Sequence, residues 1–145
     1  MTPVVLDTSV IFKWSRQPHE EPLVPQALVL LDQYLSGEIE IHVPDLLFYE
    51  LGNTIKQKRH LLQGGEEIIL RDIFTLGLTV HRLDMTLAQE TLRTALEHDV
   101  TFYDATFVAL AQSVRCNLIT ADRKLHQKLR THPFVRFLGD VHIST

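Results

Sequence analysis

The chain has 145 residues, of which 45% are apolar and 22% charged, and a formal net charge of −4. Those values describe a soluble globular protein with enough residues to bury about two-thirds of its unfolded surface, and we expect one domain over residues 1–145. No apolar stretch nears the ~20 residues of a membrane span, so no membrane partner is expected. The single cysteine, Cys116, excludes an internal disulfide. The run Pro3-Val4-Val5-Leu6 is strand-sized rather than a leader, so a cytoplasmic location is the simple expectation.

In chain order, residues 4–6 read as a buried strand, 8–14 as a short turn or helix, and 16–23, polar with Pro18 and Pro22, as a loop. Residues 24–35 read as a helix. Pro25 is tolerated in its first turn, Leu28, Leu31 and Leu35 share a stripe, and Ser36-Gly37 ends it. A strand over 39–43 leads through Pro44-Asp45 into a helix predicted to reach residue 62, with Gly64-Gly65 as its break. A helix over 66–74 and a third strand over 78–83 follow. The helix over 86–97 has Asp84 or Thr86 as cap and Leu87, Thr91, Leu92, Ala95 and Leu96 as its inner face. The helix over 103–114 carries Ala105, Ala109 and Ala111 for close packing. Residues 118–120 are a strand, 122–129 a short helix and 134–138 the last strand. Strands alternating with helices predict a parallel sheet covered on both faces.

Four acids sit where folding alone would not place them. Asp7 closes the first apolar run, Asp122 follows Leu118-Ile119-Thr120-Ala121, and Glu50 and Asp104 fall in early turns of helices. In an open parallel sheet, ligands bind beyond the carboxyl ends of strands at a switch in strand order, so one edge could gather all four. Asp7, Asp104 and Asp122 also have plain readings as caps or dipole partners. Glu50 does not, because Leu46, Leu47, Leu51 and Ile55 surround it in sequence. Together the acids suggest a magnesium or manganese site, since these ions prefer oxygen donors. No histidine pair at i, i+4 and no CxxC favours zinc. Without a cation the carboxylates would repel and some would hold protons. The chemistry such a site supplies is water attack on a phosphodiester.

Supporting groups are at hand. Asn53 lies one helical turn after Glu50, Ser9 and Thr120 carry hydroxyls near Asp7 and Asp122, and Thr8 is a further helper. Setting the four acids aside leaves acidic and basic residues equal at fourteen each. Two acid-free stretches, 51–65 and 123–139, concentrate positive charge, and Lys56, Arg59, Arg123 and Lys124 are the candidate substrate-binding residues. Phe12, Trp14, Phe48 and Tyr49 would line a groove or fill the core, with Phe48 assigned to the core.

The motifs Val4-Val5-Leu6-Asp7-Thr8-Ser9-Val10, Tyr49-Glu50-Leu51-Gly52-Asn53, Phe102-Tyr103-Asp104-Ala105 and Leu118-Ile119-Thr120-Ala121-Asp122 occur in that order. With them the chain resembles a PIN domain, most closely the VapC-type toxins of bacterial and archaeal toxin–antitoxin pairs. The resemblance implies a three-layer α/β/α sandwich with a mainly parallel sheet and a magnesium- or manganese-dependent endoribonuclease. It also implies a homodimer and a cognate antitoxin that inserts a segment into the active-site groove. Asp7, Glu50, Asp104 and Asp122 are then the catalytic metal-site residues, with Ser9, Asn53 and Thr120 as polar support. The exposed faces of 24–35 and 66–74 are the candidate dimer contacts. The alternatives are a PIN-type nuclease acting on structured DNA or in RNA maturation, and a non-catalytic RNA- or protein-binding module of the same fold. A phosphatase-like acidic pocket ranks last, because Asp7 is followed by Thr8-Ser9 rather than a second Asp at i+2.

Overall fold

The computed structural model describes residues 1–143. Five strands, β1 (Thr2–Leu6), β2 (Ile39–Pro44), β3 (Thr79–His81), β4 (Asn117–Thr120) and β5 (Val135–Phe137), form one sheet in the order β3-β2-β1-β4-β5. Every pairing is parallel. Val5 and Leu6 point to opposite faces of the central strand, yet both are 0% exposed. A strand buried on both sides needs helices above and below it, which is the α/β/α arrangement expected from the sequence.

Among the described residues, eight α-helices supply those layers: α1 (Thr8–Ile11), α2 (Val24–Leu35), α3 (Leu46–Gln57), α4 (Arg59–Leu62), α5 (Glu66–Thr75), α6 (Met85–His98), α7 (Phe102–Val114) and α8 (Arg123–Lys128). A 3-10 turn, Phe12–Ser15, continues α1. Helix α7 lies across β1, β2 and β4, with α6 packed outside it. Its fully buried Ala105, Ala109 and Ala111 allow that close approach. Helices α2 and α3 pack on β2. The chain builds outward from β1 to β2 and β3, then returns to place β4 on the other side of β1. The switch in strand order therefore lies between β1 and β4.

The structure corrects two sequence expectations. The helix predicted to reach residue 62 stops at Gln57; Lys58 leaves helical geometry (φ −102°, ψ 14°) and α4 is a separate single turn. That turn brings the Leu61 carbonyl to Arg16, whose Nη1 donates to it at 3.3 Å. The inner face of α6 is Leu87, Thr91 and Thr94, whereas Leu92 and Leu96 are exposed. Spacing decides this: 87, 91 and 94 form one i, i+4, i+7 stripe, and Leu92 and Leu96 lie off it. The segment 16–23 is the polar loop expected, and Arg16 within it and Lys13 just before it are buried. Of the aromatic residues, Phe12 is buried, Trp14 donates through Nε1 to the Ala27 carbonyl, and Tyr49 is exposed. Phe48 is half-buried and stacks on Phe74, with ring centroids 4.0 Å apart.

Candidate active site

At the carboxyl ends of β1 and β4 the backbone must leave the sheet, and both exits use an aspartate. Asp7 caps α1 and accepts hydrogen bonds from the Ser9 hydroxyl and, at 3.4 Å, from the Val10 N–H. Asp122 caps α8 by accepting the Leu125 N–H at 3.1 Å. The plain capping readings are therefore real. They do not exhaust the residues' geometry, because the two exits are also tied to each other. The Asp7 N–H donates to the Ile119 carbonyl at 3.3 Å, and Ser9 Oγ accepts the Ala121 N–H at 3.0 Å. Thr120 is fully buried, and its Oγ1 accepts the Asp122 N–H at 3.1 Å.

Helices α3 and α7 bring the remaining two acids to this edge. Glu50, on α3, accepts the Thr8 hydroxyl at 2.8 Å. Asp104, in the first turn of α7, donates its backbone N–H to the capping Thr101 Oγ1 at 3.0 Å. All four acids line one open cavity of about 430 Å³, together with Ser9, Thr8 and Asn53. Glu50, Asn53, Thr54 and Gln57 line it at helical spacing. Thr120 lies just beneath, buried between the two aspartates it serves.

The electrostatics are those of carboxyls withdrawn from water, with neighbouring acids adding to the effect. Burial pushes the Asp7 carboxyl up to about 6; the Ser9 and Thr120 hydroxyls and the Val10 N–H oppose the rise, and Asp104 adds to it. Burial also raises Glu50, against the Thr8 hydrogen bond, with Asp104 contributing. Asp104 is raised by burial and by Asp122, and lowered by the Thr101 hydrogen bond and Lys128. No lysine or arginine lies within 4.0 Å of these four carboxylates among the described residues. Hard oxygen donors with raised proton affinities and no cationic partner suit a divalent cation of the magnesium or manganese type. Among the described residues, however, no three acidic, histidine or cysteine side chains are drawn into a ready-made chelate.

The positively charged candidates fall elsewhere. Lys56 and Arg59 line a second cavity with Gly52, Ile55, Gly64 and Glu66. Lys56 is six positions past Glu50, roughly 240° around the helix, which turns it from the acidic face. Arg123 sits over the Phe137 ring, 4.7 Å from its centroid, and Lys124 is exposed; neither lines the acidic cavity. The cations that do line it are Lys13 and Lys58, with Glu21 as a fifth acid. Sequence reasoning missed all three. Lys58 lies four positions past Thr54, so helical phase already places it on the cavity face and charge counting alone passed it over; Lys13 and Glu21 gain their position only when the loop 16–23 folds back.

A PIN domain family model matches residues 4–129. The chain belongs to the PIN domain family, and the matched span holds all four cavity acids. It is similar to Ribonuclease VapC3 of Pyrobaculum aerophilum, 37% identical over 102 residues covering 67% of this chain and 77% of the relative. Exonuclease VapC9 of the same organism is 27% identical over 99 residues, 68% of this chain and 74% of the relative. A chain of a toxin–antitoxin complex from Klebsiella pneumoniae shares the fold, with a TM-score of 0.66 and 18% identity over 93% of this chain and 97% of that one.

Proposed function

We propose that this protein is a magnesium- or manganese-dependent endoribonuclease and the toxin of a toxin–antitoxin pair, acting in the cytoplasm as a single nuclease domain. The observation that carries the reading is the gathering of Asp7, Glu50, Asp104 and Asp122 around one cavity at the sheet's switch point. Its likeness to a relative named as a ribonuclease supports RNA as the substrate. The resemblance to VapC toxins supports a homodimer and a cognate antitoxin as partners.

On this reading the four acids hold the metal, which when bound would activate water and stabilise the leaving oxygen of the phosphodiester. Ser9 fixes the Asp7 carboxylate and, through the Ala121 N–H, the spacing of the two strand exits. Thr8 orients Glu50. Thr120 orients the backbone that carries Asp122, and Asn53 offers an amide to solvent in the cavity. Asp7, whose burial holds its proton to about pH 6, must give that proton up when a cation arrives, so metal affinity rises with pH.

Purified protein incubated with a mixed RNA substrate and magnesium, manganese or EDTA, beside Asp7→Asn, tests the reading. Metal-dependent cleavage lost in the variant is the expected result. No cleavage by folded, inhibitor-free protein would favour a binding module of the same fold. One relative is named an exonuclease, so RNA labelled at both ends and internally separates the two modes. Internal fragments are expected first. A structured DNA substrate in parallel tests the remaining alternative.

A further inference from the structure

The acidic cavity has an electrostatic difficulty as a home for nucleic acid. With its five acids ionised and Lys13 and Lys58 charged, the lining carries three net negative charges, and one divalent cation still leaves it negative. A phosphodiester entering it needs a positive group of the protein's own.

Lys58 is partly committed, its Nζ lying 4.9 Å from the Phe12 ring centroid. Lys13 is the better placed. Its side chain is only 10% exposed, and a buried ammonium needs partners for its N–H bonds. It donates to the Pro22 carbonyl at 2.8 Å and to Glu21 Oε2 at 3.2 Å, leaving one of its three N–H bonds unassigned.

The pairing with Glu21 is incomplete. Glu21 Oε1 is buried without a hydrogen-bond partner, and its nearest cation, Arg16 Nε, stands 3.9 Å away. A loop built only to neutralise Lys13 would satisfy both oxygens. The same loop ends at Leu23, held at φ +65° in the left-handed region that a leucine rarely adopts. An imperfect ion pair on a strained loop is one that a better anion can replace.

We infer that Lys13 is a substrate-binding cation of the cavity, and that Glu21 occupies it when no substrate is present, as an internal stand-in for a nucleic-acid phosphate. A phosphate offers several acceptor oxygens where Glu21 makes one hydrogen bond, so substrate displaces the carboxylate and the 16–23 loop shifts with it. The inference rests on the ribonuclease reading.

The test measures binding of labelled single-stranded RNA with magnesium across a salt series, in protein carrying Asp7→Asn to prevent cleavage. Adding Lys13→Met should weaken binding about tenfold and flatten the salt dependence by about 0.7 in log–log slope, the value of one lost single-strand phosphate contact. Adding Glu21→Gln should tighten binding about threefold at low salt, because Lys13 loses its competitor. The double change Lys13→Met, Glu21→Gln leaves no unpaired buried charge and covers the case in which Lys13→Met alone does not fold; it should show the same flattened slope. If the variants lose only melting temperature, with RNA affinity and salt slope unchanged, Lys13 is a structural staple and the inference is overturned. If the Asp7→Asn protein and the wild type both fail to bind or cleave RNA, the ribonuclease reading fails with it.

Discussion

Two groups of ionisable side chains are carried by this one sheet, and they are stabilised in opposite ways. On β2 and β3, His42 bonds Glu40 through Nε2 and His81 through Nδ1, the latter at 2.8 Å. Both of its ring nitrogens are engaged, and an acid stands beside the imidazoles. At the exits of β1 and β4 the partners are instead acids near acids, with Asp7, Glu50 and Asp122 accepting from neutral hydroxyl or backbone donors. Burial raises the Asp7, Glu50 and Asp104 carboxyls, and a neighbouring acid adds to each rise. A polar cluster that contains its own acid and base reads as architecture; acids gathered without a cationic partner mark where a cation belongs.

The largest expected effect breaks the acidic side of this comparison. Asp7→Asn should reduce RNA cleavage by well over about 100-fold, because even groups supporting a metal ligand cost 10–100-fold when removed. Circular dichroism should show the fold retained, since the change removes charge and little volume. Ser9→Ala should cost about 10–100-fold in cleavage, as the Asp7 carboxylate loses the donor that fixes it.

The next effect is on the stability of the metal-free protein. Asp7 keeps its proton up to about pH 6 when folded, against an ordinary value of 3.8. Between these values the native state binds more protons than the unfolded one, so stability falls as pH rises through that window. The loss is on the order of 3 kcal/mol once pH exceeds both values. Urea denaturation at pH 4, 5, 6 and 7.5 in EDTA should show the fall, and Asp7→Asn should flatten it. Magnesium at 100 times its dissociation constant should restore about 2.7 kcal/mol at pH 7.5.

The smallest effect lies on the histidine side and sharpens the contrast. His42→Gln should cost about 1–3 kcal/mol of stability, the range for stranding buried partners, and leave RNA cleavage unchanged. Loss of cleavage in a fully folded His42→Gln protein would erase the distinction between the two groups.

Much of the architecture was legible because the strands are short apolar runs with clear breaks, and because Asp7 and Asp122 stand at strand exits. The four cavity acids were legible for a related reason: Glu50 sits among Leu46, Leu47, Leu51 and Ile55, which folding alone does not explain. What could not be read was which bases share their cavity. Counting charge along 51–65 selected Lys56 and Arg59, whereas helical phase turns Lys56 away and keeps Lys58, four positions past Thr54, on the cavity face. Lys13 and Glu21 depend on a loop closure that no periodicity encodes. The inner face of α6 was read correctly at Leu87 and Thr91 but not beyond, because a buried Thr94 takes the place of Leu92 and Leu96, which hydrophobicity favoured.

The central position of β1 also bears on how the protein comes to be made. Its neighbours are β2 and β4, and the pairings Val4↔Asn117 and Leu6↔Ile119 join segments more than a hundred residues apart. Such distant contacts form late, after the cost of closing the intervening chain is met. Asp7 is translated early but gains the Ile119 carbonyl, the Ala121 amide that holds Ser9, and Asp122 only when β4 arrives. A growing chain therefore carries its acids apart and inert through most of its synthesis. For a protein proposed to cut RNA, that order keeps the cavity incomplete while its own message is still being read.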